Sequence, residues 1–155
     1  MWNEQIIMML LEGIKDTLYM TLTSTLIGYV IGLPMGILLT VTDKDGIHPN
    51  AAVYKVLDVI ANLIRSVPFL ILLIVLIPFT RFLIGRSYGP TATIVPLVIA
   101  AAPYIARMVE SSLKEVDAGV IEAARSMGAS NFTIVTKVML VEARTSLIEI
   151  GRAHV

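Results

Sequence analysis

The chain has 155 residues, of which 56% are apolar and 15% charged, with a mean hydropathy of +0.82. Soluble domains carry nearer ~25% charged residues, so the composition excludes an ordinary soluble domain and points to a membrane protein. Lys+Arg and Asp+Glu balance at 12 each, which offers no basic field for nucleic acid, and the lack of cysteine excludes a disulfide framework and thiolate chemistry.

The N-terminus, MWNEQ, has no basic leader, and no small-residue cleavage site follows the first apolar run, so no cleaved signal peptide is expected. Residues 2–16 set Trp2, Ile6, Ile7, Leu10, Leu11 and Ile14 against Glu4, Glu12, Lys15 and Asp16. That period fits a helix lying in the membrane surface with Trp2 as its anchor; a plain helical entry to the next segment fits equally well. Residues 18–41 are free of charge. At about 1.5 Å per residue they are long enough to cross a hydrocarbon core of about 30 Å, and they are the first predicted span. Within it Ser24, Gly28, Gly32, Gly36 and Thr40 recur at every fourth residue. They form a small-residue ridge along which another helix backbone can approach closely. Helix packing is the preferred reading of the ridge, and a gate-forming contact is the alternative. Pro34 lies inside the same span.

Residues 42–55 form a polar loop with turn signals at Asp45-Gly46 and Pro49-Asn50. His48 has no neighbours in it that suit a metal. The second predicted span covers residues 57–79, with Asp58, Asn62 and Arg65 in its first turns and Pro68 bending it. Arg65 either snorkels to the interface or faces a pathway. A short loop, residues 81–90, leads to the third apolar run, residues 91–107, which is interrupted by Pro96 and Pro103. Arg107, Lys114, Arg125, Lys137 and Arg144 follow it, and the positive-inside rule then puts this end in the cytoplasm. Alternating spans place the 42–55 loop inside, with the N-terminus and the 81–90 loop outside. Arg81 and Arg86 run against that orientation but are outnumbered.

The stretch at residues 117–140 mixes charge with apolar periodicity. Asp117 suits an N-cap, helix formers run to Met127, and Gly128 suits a left-handed stop. Ser130 then caps a second, amphipathic helix whose Phe132, Val135, Val138 and Met139 share a face. Ala123 and Ala124 leave the first helix thin enough to lie close against a partner. By itself this is a helical hairpin of an ordinary kind. However, Glu122-Ala123-Ala124 followed three residues later by Gly128 resembles the EAA loop of ABC-importer permeases, the coupling helix that docks on the ATP-hydrolysing subunit. Val138 and Leu140 fit the rest of that pattern, and Val141 stands where proline is usual. The run IRSVPFLILLIVLIPFTR, residues 64–81, is similar to the corresponding helix of methionine-importer permeases.

The resemblance implies an all-α, multi-pass membrane fold. It would be the N-terminal part of a type I importer permease, with three transmembrane helices followed by a cytoplasmic coupling-helix hairpin. It implies a pathway for methionine or a similar amino acid, and a docking role for Glu122, Ala123, Ala124, Arg125, Met127 and Gly128. The implied partners are an ATP-binding subunit, a second permease copy and a periplasmic or lipid-anchored binding protein, in the lipid of a bacterial inner membrane.

No Walker loop, zinc motif, nucleophile elbow or Cys/His cluster occurs in the sequence. No catalytic residue, metal or cofactor is therefore expected. None of the three apolar runs carries the central carboxylate that a proton-coupled carrier uses, so the energy for transport has to come from another chain. A non-transporting assembly protein is the alternative, and a membrane enzyme ranks last. Permeases of this kind continue into two further membrane helices, whereas here only VEARTSLIEIGRAHV follows. The chain reads as the first two thirds of such a permease. Residues 149–155, EIGRAHV, resemble the translation of a sequencing adapter and are expected to be a non-native tail, with no role for His154. Residues from about 141 onward are expected to be poorly ordered.

Overall fold

Helix α1 spans Glu4–Thr42 without interruption and carries the small-residue ridge on its inner face. The structure is a computed structural model that describes residues 2–153, and the described residues form helices and their connections. Asn3 caps α1 by accepting from the Ile6 amide at 3.0 Å. The expected surface helix at residues 2–16 needs a break near Thr17, and the chain supplies none. Instead Thr17 Oγ1 donates back to Gly13 O at 2.7 Å within a continuous helix, so residues 2–16 are the helical entry to the span. Thirty-nine residues make a rod of about 58 Å at 1.5 Å per residue, nearly twice a hydrocarbon core.

Ser24, Gly28, Gly32, Gly36 and Thr40 are all buried, and the three glycines lie against α5, which spans Pro90–Lys114. The glycines are required by the distance between the two backbones. A Cβ at Gly32 would lie 2.8 Å from Ala102 O, and one at Gly36 would lie 2.6 Å from Ala106 O. A backbone oxygen has nowhere to retreat. The outward faces of α1 and α5 carry exposed Leu22, Leu26, Val30, Tyr104 and Met108, which suits helices solvated by lipid.

The second predicted span is not one helix. Helix α2 (Ala51–Ser66) and helix α3 (Phe69–Val75) meet at a bend of 107°. A proline lacks the amide that continues a helix, and it forces the residue before it toward extended geometry. Val67 accordingly sits at φ −84°, ψ 126°, and Pro68 opens a new helix in another direction. Helix α4 (Ile77–Ile84) follows after a second interruption at Leu76, and Gly85 closes it at φ 86°. Among the described residues two helices, α1 and α5, are long and apolar enough to cross a membrane, and a third span is present only if the bent α2–α3 pair is counted as one. The third predicted span ends at residue 107, but α5 continues to Lys114, because the charges that follow residue 107 are paired rather than solvated.

Helix α6 (Ala118–Ser126) leads through Gly128 into a short α7 (Asn131–Thr133), a π-helical turn (Ile134–Met139), α8 (Leu140–Glu142) and α9 (Arg144–Ala153). The expected apolar face of Phe132, Val135, Val138 and Met139 packs only in part: Met139 is in the core and Val135 lies against it. Ile134, Met139, Ala143 and Leu147 join Ile105, Val109 and Leu113 in the core, while Phe132 is exposed. A π turn bonds each residue to the fifth one on, and its wider coil brings Ile134 and Met139 to one side. With no proline at Val141, the chain continues as helix. Residues beyond 141 are packed rather than loose: Leu147 is buried, and Tyr29 Oη donates to its carbonyl at 3.0 Å. Of the expected tail at residues 149–155, Glu149 lies in α9, and His154 and Val155 lie outside the described residues.

Replacing Gly32 by Leu is expected to destroy the folded, monodisperse species in detergent. The intrusion is worse than ordinary overpacking, which costs about 1–3 kcal/mol. Leu33→Ala removes a half-buried side chain without moving a backbone. It should cost less than the ~2–5 kcal/mol of a fully buried leucine and leave the species in place. Size-exclusion profiles and thermal melts of the two variants check this, and equal, small losses would show that the ridge is not a packing face.

Candidate functional site

The candidate site is the end of the molecule where α6, the loop at residues 43–50 and the last turns of α5 meet. Asp117 starts α6 by accepting from the Gly119 amide at 2.9 Å. Its end is a Schellman closure, in which Ala129 N–H bonds Ala124 O at 3.2 Å and Gly128 N–H bonds Arg125 O at 3.0 Å. That closure needs a left-handed residue, and Gly128 takes φ 84°. Ile121 and Ala124 turn inward against the core. Glu122, Ala123, Arg125, Met127 and Gly128 face outward. The two alanines therefore do different things, since Ala124 seats the helix and Ala123 is presented. Met127 and Phe132 are large apolar side chains left 88% and 78% exposed, beside a helix with no buried residue of its own.

The loop at residues 43–50 is held from both sides. Gly46 lies directly against the Thr40 and Val41 carbonyls, where no side chain fits, and His48 N–H bonds Val41 O at 3.0 Å. Arg125 Nη2 of α6 donates to Ile47 O at 3.2 Å. Lys114 Nζ of α5 pairs with Asp43 at 2.7 Å. Between α6, this loop and α5 lies an open cleft of about 560 Å³, with Asp43, Ile47, Lys114, Ile121, Glu122 and Arg125 in its wall.

Behind the cleft lies a run of alternating charge that sequence reasoning misses. Glu110 of α5 is buried and accepts from Arg107 at 2.9 Å, from Lys114 at 2.9 Å and from Tyr54 Oη at 3.4 Å. Arg107 also pairs with Asp58 and donates to Asn62 Oδ1 at 3.2 Å, both on α2. The spacing of Arg107, Glu110 and Lys114 is visible as one helix face. Their partners, Asp58 and Asp43, are about fifty and seventy residues away along the chain, and no local pattern joins them.

Of the remaining predicted positions, Ser24, Gly28, Gly32 and Gly36 form the α1–α5 contact and stand apart from the cleft. Arg65 and Pro68 lie at the elbow. Arg65 borders a second cleft of about 600 Å³ with Phe69, Leu72, Leu97 and Tyr104.

Paired spans held by a glycine ridge, a broken helix beside them and a short capped helix presented at one end define a membrane-transport subunit rather than an enzyme. The chain belongs to the family of binding-protein-dependent transport system inner membrane components, which it matches over residues 7–150. It is 49% identical over 146 residues to the D-methionine transport system permease protein MetI of Salmonella typhimurium, a match covering 94% of this chain and 67% of that protein. MetI of Escherichia coli K12 gives the same identity and coverage. The fold superimposes with a TM-score of 0.95, at 47% identity, on a chain of the MetNI methionine ABC transporter solved in inward-facing conformations, covering 99% of this chain and 71% of that one.

The Lys114 ammonium donates to Asp43 and holds its carboxyl below the ordinary 3.8, with the Lys44 amide adding to the effect. A depressed folded pKa contributes stability that is fully present above the ordinary value and is lost as pH falls through the lower one. The loop tether is therefore expected to be constant from neutral pH down to about 4 and to release below that. Carbon-13 titration of the Asp43 carboxyl should give a midpoint below 3.8, and Lys114→Met should move it up. A midpoint unaffected by Lys114→Met would show that the pair does not form.

Proposed function

We propose that this chain forms the membrane pathway of an ATP-driven importer for methionine or a closely similar amino acid, with ATP hydrolysed on a separate subunit. One observation carries the reading: the chain is 49% identical to a D-methionine permease over 146 residues, 94% of its length. By that likeness the partners are an ATP-binding subunit, a second permease copy and a substrate-binding protein outside the membrane, and the location is a bacterial inner membrane.

Within this reading α6 is the coupling helix. Its short length, its capped ends and its exposed Glu122, Ala123 and Met127 support docking, since a helix that must enter a groove needs a thin outer face and a firm seat. The seat is Ile121 and Ala124. The ridge of Ser24, Gly28, Gly32 and Gly36 holds the pathway helices together, and Arg65 with Pro68 marks the place where the second span is broken beside that pathway.

The test is uptake. A permease that carries this sequence within the full length of its relatives, assembled with its ATP-binding and substrate-binding partners in vesicles, is expected to accumulate labelled methionine only when ATP is supplied on the cytoplasmic side. ATP hydrolysis without accumulation of methionine or any related amino acid would sink the reading. Ala123→Asp places a charge on the docking face and should cut capture of the ATP-binding subunit by about tenfold or more, because an unpaired charge in a closed contact costs several kcal/mol. Ala124→Asp should instead lower the amount of folded chain, since that side chain faces its own core. Undiminished capture by the Ala123 variant would remove α6 from the interface. Because the chain has no native cysteine, His48→Cys gives a clean orientation test. It should resist an impermeant thiol reagent in intact cells and react in inverted vesicles.

A further inference from the structure

We infer that Asp58, Arg107, Glu110, Lys114 and Asp43 form a positioning ladder that sets the angle of α2 on α5 and carries displacement of α6 to it, with Glu110 as the shared rung. The inference rests on the reading of α6 as a coupling helix, and goes beyond it by naming the path inward.

The ladder is continuous. Arg107, Glu110 and Lys114 stand at i, i+3 and i+7 on α5, so they share one face. Glu110 accepts from both cations at 2.9 Å. The outer rungs belong to other elements. Asp58 of α2 pairs with Arg107, and Asp43, just past the end of α1, pairs with Lys114 at 2.7 Å. Beyond Asp43 the same loop presents Ile47 O to Arg125 of α6 at 3.2 Å. A shift of α6 therefore reaches α5 through one loop and one ammonium group.

Helix α2 is placed to respond. Ala61 is its sole buried residue, so apolar packing grips it weakly. Three polar ties from α2 to α5 run through Arg107 and Glu110: Asp58, Asn62 and Tyr54 each meet one or the other. Charged hydrogen bonds are short and directional, and they hold discrete arrangements where an apolar surface slides. Helix α2 ends at the Val67–Pro68 elbow and so carries α3 with it. Breaking the ladder should therefore unlink hydrolysis from transport without unfolding the spans.

Glu110→Gln keeps the shape and removes the shared charge. Made in the full-length permease and complexed with its ATP-binding subunit, this variant should keep ATP hydrolysis and lose uptake by about tenfold or more, the scale of ordinary coupling between sites, with the yield of complex unchanged. Asp43→Lys and Lys114→Asp should each lose uptake, and the double exchange should lose no more than Lys114→Asp alone, since it remakes the pair with residue 43 while Glu110 still lacks its second cation. An unchanged ratio of ATP hydrolysed to solute moved in Glu110→Gln would overturn the ladder, as would single exchanges that behave like wild type. Absence of uptake by the unaltered complex would overturn the importer reading instead. A second measurement needs no transport. Spin labels at Val59→Cys on α2 and Ala118→Cys on α6 should give one narrow distance distribution, broadened by Asp43→Lys and by Lys114→Asp. Widths indifferent to both changes would overturn the ladder even if Glu110→Gln failed to assemble.

Discussion

The contact on which the rest of this structure depends is the approach of α1 to α5 across Gly28, Gly32 and Gly36. In lipid, apolar surface gives helices no reason to prefer each other over acyl chains, so association relies on close packing and dispersion. Removing side chains at every fourth residue lets the α5 backbone come within van der Waals reach of α1 over several turns. That contact fixes the ends of both helices, and everything at the site is built on those ends. The Asp43–Asn50 connection begins where α1 stops, and Gly46 repeats the same device by lying flat on the last carbonyls. If α1 and α5 were held apart by even one methyl group per turn, Lys114 would no longer face Asp43, and the wall of the cleft would open.

The molecule uses two kinds of fixing. Helices α1 and α5 are locked by shape, and α2 is locked by charge. Burying the Glu110 carboxylate would cost several kcal/mol if it were unpaired, and its two cations and one phenol offset that. Shape contacts of this density tolerate little displacement. A charge ladder can exchange partners, and it sits where α2 meets the rest of the fold.

Much of this was legible in the residues. The glycine period, the charge-free run in α1, the Asp117 cap and the Gly128 stop each rest on local rules, and local rules do not need the fold to be known. The EAA-like triplet also pointed to α6, but it did not separate Ala123 from Ala124, because which alanine faces the core depends on where α5 lies. Three readings failed for related reasons. Pro68 was visible, but a bend of 107° rather than a mild kink depends on what receives α3. The α7–α8 stripe was read at the α-helical period when the coil is wider. The extension of α5 past Arg107 depends on acids far away in the chain. In each case the missing information was a neighbour remote in sequence.

The wide coil at Ile134–Met139 also bears on how this segment tolerates changes in length. Its core residues are Ile134, Met139, Ala143 and Leu147, spaced five, four and four. A π turn holds one residue more than the α turns it replaces, so the surplus residue is stored there and nowhere else in the stripe. Losing one residue inside the turn would tighten it to an α coil and leave Ala143 and Leu147 facing α5. Losing one between Ala143 and Leu147 would swing Leu147 by about 100° and strip Tyr29 of its acceptor. Homologous chains of unequal length should therefore differ by single residues inside this turn, and keep a constant count on either side of it.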